Sequence, residues 1–115
     1  MKKITLIAVL LAAASTSAMA SNKIEAGKVA VAKFNCASCH GADFSSPIDP
    51  SYPKLAGQHK DYLAQALKAY KRGAQGLAGR NNAIMEGQVK ELTNADIDNI
   101  AAYLQSLPGQ LVLKK

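Results

Sequence analysis

Apolar residues recur at helical spacing in three stretches of the chain, and nowhere do they alternate as a strand requires. The first stretch predicts a helix from about Lys23 to Asn35, with Ile24, Gly27, Val31 and Phe34 on one face. Asn22 is its expected N-cap, and Glu25, three residues on, the reciprocal partner. The second runs from Lys60 to Arg72 with an apolar stripe of Tyr62, Leu63, Ala66, Leu67 and Tyr70. Lys71 and Arg72 then sit where the helix dipole favours cations, and Gly73 is a natural terminator. The third opens on a Thr93-Asn94-Ala95-Asp96 capping box, carries Ile97, Ile100, Ala101, Leu104 and Leu107 inward, and stops before Pro108-Gly109. A short fourth helical turn is expected near Ile84 to Lys90. The pattern is that of an all-α domain.

Between these elements run two irregular segments, Gly41 to Gly57 and Gly73 to Met85, which hold glycines 41, 57, 73, 76 and 79 and prolines 47, 50 and 53. Loops of that length in a small domain need an object to pack on, and a buried flat cofactor would be one. The start of the chain reads differently. Lys2 and Lys3 precede an apolar run from Ile4 to Ala14, and Ala18-Met19-Ala20 supplies a small-x-small cleavage site before Ser21. Residues 1–20 therefore read as a cleaved secretory signal peptide, and 21–115 as one domain without repeats. The apolar run is shorter than the roughly 20 residues a membrane-spanning helix needs, which disfavours the alternative of an uncleaved anchor. No cysteine lies near the cut to take a lipid. The expected destination is the periplasm.

Charge narrows the partners. The formal charge of +6 falls to +4 once Lys2 and Lys3 leave. The remaining Lys and Arg are scattered, with no aromatic-interleaved basic cluster, so nucleic acid is not an expected partner. The balance suits weak docking to an acidic protein face, and Lys54, Lys60, Lys68, Lys71 and Arg72 could ring such a surface or be ordinary solvated side chains.

The candidate chemistry lies in Cys36-Ala37-Ser38-Cys39-His40, the C-x-x-C-H pattern of c-type haem attachment. Two thiols three residues apart at a helix end can each reach a vinyl group on one porphyrin edge, and the adjacent imidazole can meet the iron. A structural disulfide at this spacing would staple nothing. A thioredoxin-type pair would need a βαβ context, and a zinc knuckle a second pair of ligands where only His59 remains. Iron would take His40 as its fifth ligand and needs a sixth. Met1 and Met19 leave with the signal peptide, so Met85 is the one mature methionine, and it follows the flexible Gly73 to Gly79 stretch. An isolated methionine can also be plain core filling. His59, just before the second helix, is the competing sixth ligand.

With these pieces placed, the chain resembles the class I c-type cytochromes. It is similar to the small bacterial cytochrome c553-like group and to the half-domains of dihaem cytochrome c4-type proteins. The residues that carry the resemblance are Gly27-Lys28, Cys36 to Gly41, Pro53 to Gln58, Tyr62-Leu63, Arg80 with Met85, and Ile100 to Leu104. It implies a small cytochrome c fold of three main helices plus a short fourth around one covalent haem c, with Cys36 and Cys39 as thioether sites. It also implies that the Pro53 carbonyl accepts from the far ring nitrogen of His40, that Leu55 packs on the proximal haem face, and that Gly27 lets the first helix cross the last near Tyr103. Gln58, Arg80, Asn81 and Asn82 become candidates for polar contacts near the propionates or the Met85 loop. One departure is Val31, where many relatives carry an aromatic residue; Phe34 could fill part of that volume. The implied function is a soluble periplasmic electron carrier, His40/Met85-ligated and with no substrate chemistry of its own. It would pass single electrons between respiratory redox proteins as a monomer or weak dimer. The alternatives are an electron-accepting subunit of a periplasmic dehydrogenase, and an enzyme or gas sensor in which Met85 leaves the iron.

Overall fold

The computed structural model describes residues 2–110, with side chains from Ser17 onward. Five helices follow in chain order: α1 (Lys2–Lys33), α2 (Ala37–His40), α3 (Lys60–Arg72), α4 (Ala83–Val89) and α5 (Asn94–Ser106). Among the described residues there is no strand, and no helix is long and apolar enough to cross a membrane.

The predicted N-cap at Asn22 is not observed, because α1 runs straight through it. The physical reason is local: Ile4 to Ala26 contain no Gly or Pro, so nothing there interrupts a helix already under way. Residues 2–20 and the residues after the expected cut thus form one element. At its other end α1 closes in a Schellman motif. The Cys36 N–H donates to the Val31 carbonyl at 3.0 Å and the Asn35 N–H to the Ala32 carbonyl at 3.2 Å, with Asn35 left-handed at φ 56°. Asparagine is among the few side chains that tolerate that conformation. The turn delivers the chain directly into α2, a single helical turn that periodicity could not reveal.

The framework is the crossing of α1 over α5, with α3 packed on α5 and α4. Gly27 sits at the crossing. A Cβ there would lie 2.0 Å from the Asn99 carbonyl oxygen and 2.6 Å from Tyr103 Cβ, so only glycine allows this approach. The core gathers Val31, Leu63, Val89, Leu92, Ile97, Ile100 and Leu104 from all four longer helices and the α4–α5 turn. Val31 is buried and Phe34 half-buried, but neither takes the aromatic contact at the crossing. Phe44, from the loop after α2, supplies it, meeting Tyr103 edge-on with ring centroids 6.2 Å apart. Phe44 is fully buried and left-handed at φ 56°, and its carbonyl accepts from both Leu55 N–H (2.8 Å) and Ala56 N–H (3.0 Å). That ties the long loop between α2 and α3 onto the core.

Candidate functional site

One cleft of ≈ 260 Å³ opens between the α1–α2 junction, the 51–58 segment, α3, α4 and α5. Its lining is largely apolar, drawn from residues such as Val31, Leu55, Leu63, Leu67 and Leu104. Cys36, Cys39, His40, Pro53, Leu55 and Met85 all line it, so every residue expected to hold a cofactor is brought to one place.

His40 closes α2 and is the one buried polar side chain among the described residues. Its Nδ1 lies 2.9 Å from the Pro53 carbonyl oxygen. A carbonyl only accepts, so Nδ1 carries a proton and Nε2 is the ring nitrogen left outside that bond. Proline is well suited to this role, since its ring fixes the backbone that presents the oxygen. The next residue is Gly41 at φ 91°, where a Cβ would come within 2.3 Å of the Ser46 carbonyl oxygen, so the chain can leave His40 only through a glycine.

Cys36 and Cys39 are half-buried, unpaired thiols at the two ends of one helical turn. Burial pushes the Cys36 thiol up, opposed by a hydrogen bond from its own backbone and reinforced by neighbouring Cys39. It is therefore a neutral thiol at pH 7. A redox-active or metal-binding pair needs the opposite shift, toward thiolate. No three His, Cys, Asp or Glu side chains converge to hold a metal among the described residues.

Met85 is half-buried in the first turn of α4, and that turn is capped by Asn82, whose Oδ1 accepts from the Met85 N–H at 3.0 Å. Gln58, Arg80 and Asn82 line the cleft as well; Asn81 does not. His59 is exposed at the N-cap of α3 and lies outside the lining. Three of the five cations considered for a docking ring are engaged internally. Lys54 Nζ donates to Gln110 Oε1 at 2.8 Å, Lys71 Nζ to the Leu92 carbonyl, and Arg72 to the Ala78 carbonyl at 3.2 Å. Two further contacts are not legible in the sequence, although it singles out Arg80 itself. Tyr52 lies with its ring 6.4 Å from that of His40, and Arg80 packs on Tyr62 and Tyr70. Tyr52 belongs to no periodic pattern, and the helical period that places Tyr62 and Tyr70 on one stripe says nothing of Arg80.

An apolar cleft, two thiols on one helical turn and an imidazole whose Nδ1 is held by a backbone carbonyl are the chemistry a tethered porphyrin requires, and the residues present fit that group. Residues 24–108 match the family model for cytochrome c, and the chain belongs to that family. The family implies covalently bound haem c and electron carriage. Cytochrome c4 from Stutzerimonas stutzeri is 42% identical over 89 residues, covering 74% of this chain. Cytochrome c-554(548) from Halomonas halodenitrificans is 41% identical over 71 residues, 62% of this chain. A protein of Thiomonas intermedia named thiosulfate dehydrogenase electron acceptor is 38% identical over 73 residues, 64% of this chain. The chain spans 40%, 82% and 31% of these three relatives respectively.

Proposed function

We propose that the chain is exported by a signal peptide cut after Ala20 and matures into a periplasmic electron carrier with one haem c. Cys36 and Cys39 would carry the thioether links, and His40 Nε2 and Met85 Sδ would hold the iron. The observation that carries this reading is that His40 and Met85 share one apolar cleft, with His40 Nδ1 already committed to Pro53. When bound, the haem iron supplies a one-electron couple. The chain's own residues hold and tune it. The Pro53 carbonyl orients the imidazole and raises its basicity. Leu55 and Leu63 help keep water from the cleft. Asn82 fixes the turn that carries Met85. The Met85 thioether would favour the reduced form of that couple and would close the site to O2 or peroxide. The protein is then a carrier with no substrate reaction.

The test is a visible spectrum of the oxidised and reduced protein, with CO added to the reduced form. Sharp low-spin bands, a thioether charge-transfer feature and indifference to CO are expected. Met85→Ala should lower the potential and admit CO; a variant unchanged in both would remove Met85 from the iron. The relatives named thiosulfate dehydrogenase electron acceptor favour a second reading, in which the chain is the dedicated acceptor of a periplasmic dehydrogenase. A stable complex on size exclusion supports that role, and a lone monomer or weak dimer supports the free carrier.

A further inference from the structure

Arg80 lies near the end of the path from α3 to α4, three residues before Ala83. Its N–H donates to the Ala69 carbonyl at 3.0 Å, the acceptor that the Gly73 N–H also uses at 3.1 Å. The glycine-rich segment therefore leaves α3 and returns to a single carbonyl. The neck is so tight that a Cβ on Gly79 would lie 1.8 Å from the Gly73 carbonyl oxygen. The Arg80 side chain fastens the returning chain to α3. Its guanidinium carbon stands 5.6 Å from the Tyr62 ring centroid and 5.4 Å from that of Tyr70, and Nη2 lies 3.2 Å from Tyr62 Oη. Two residues further on, Asn82 caps the turn that holds Met85. Tyr62, Tyr70, Arg80, Asn82 and Met85 all line the same cleft.

We infer that Arg80 is a positioning residue: its guanidinium latches the chain between α3 and α4 onto Tyr62 and Tyr70, and so holds Met85 against the iron. The inference rests on the reading of Met85 as the distal ligand. A planar guanidinium can face two rings and still donate to a hydroxyl, whereas an ammonium has neither the flat face nor the fork. Two cation–π contacts and a hydrogen bond acting together correspond to a shift of about tenfold in the opening equilibrium.

The test is an imidazole titration of the oxidised, haem-loaded protein, followed through loss of the thioether charge-transfer band. Amide hydrogen exchange at Met85 gives a second readout that does not involve the iron. Arg80→Ala should raise imidazole affinity and quicken exchange at Met85 by about tenfold each. Tyr62→Phe keeps the ring, loses the hydroxyl and should fall between. Arg80→Lys should resemble Arg80→Ala. If it instead resembles the wild type, positive charge alone matters and the latch is overturned. Unchanged affinity and exchange in Arg80→Ala overturn it equally. A wild type without the charge-transfer band, whose Met85 exchange still responds to Arg80→Ala, supports the latch while removing the ligand reading.

Discussion

Two glycines in helices show how far a residue's meaning depends on its neighbours. Replacing a helical glycine by alanine ordinarily stabilises by about 0.5–1 kcal/mol, because alanine loses less backbone freedom. Gly87 in α4 has nothing within 4 Å of its missing Cβ, so Gly87→Ala should gain about that amount. Gly27 faces the Asn99 carbonyl at 2.0 Å, and the same change there forces α1 away from α5. Gly27→Ala should instead destabilise by about 1–3 kcal/mol, the usual cost of overpacking. Urea midpoints of the two variants check the opposite signs. A helical glycine is visible in the sequence; which of the two sits at a crossing is not, until the resemblance near Tyr103 suggests it. Phe44 is still less legible. It lies in a turn, at a positive φ that phenylalanine rarely adopts, and only the folded chain reveals it as the aromatic partner of Tyr103.

Elements whose ends carry their own chemistry are the ones the sequence announces. The limits of α3 agree with the reading from Lys60 to Arg72, and α5 follows the Thr93 box as expected, with both reciprocal bonds present. The Asp96 N–H donates to Thr93 Oγ1 at 3.0 Å, and the Thr93 N–H to Asp96 Oδ2 at 2.9 Å. These Thr93 bonds, backbone first, hold the Asp96 carboxyl below the usual carboxylate range, with smaller help from Lys33 and Lys71. The folded state thus prefers the ionised form. Its stabilisation is present above the unfolded value of about 3.9 and is lost as pH falls through the lower folded value. Asp96→Asn should narrow its deficit against wild type as pH drops from 7 to 3, seen in urea midpoints across that range. Thr93→Ala should cost about 1 kcal/mol at pH 7. The start of α1 carries no comparable punctuation, and an N-cap inferred at Asn22 from side-chain type alone therefore misplaces the boundary. α2 is too short for any period to show, yet it carries both thiols and the imidazole.

At the scale of the molecule, all the longer helices contribute walls to one cleft, and residues of the core double as its lining: Val31, Leu63, Val89, Leu92, Ile100 and Leu104. A chain of this size buries a modest core, so a cleft through it leaves little to hold the fold together. With haem as the cleft's occupant, the Cys36→Ala/Cys39→Ala chain should lose most of its helical signal in far-ultraviolet circular dichroism. Retention of that signal would show that the helices pack without a tethered cofactor. The architecture was legible in outline because three amphipathic stripes and one five-residue motif already require a helical shell around something flat. The loop chemistry that completes the shell was not, since the bonds from Phe44, Ala69 and Asn35 are made by backbone atoms to which composition is blind. The pinched neck at Ala69 also separates two kinds of length. Residues before Gly73 and after Arg80 are held in register with the cleft, but the excursion between them is bounded by one carbonyl, and Leu77 at its tip is 94% exposed. Closure entropy grows only slowly with added residues. A peptide grafted at Leu77, with Gly73, Gly76 and Gly79 kept, would thus hang from the surface on its own short stalk, leaving this small protein a natural port for insertion.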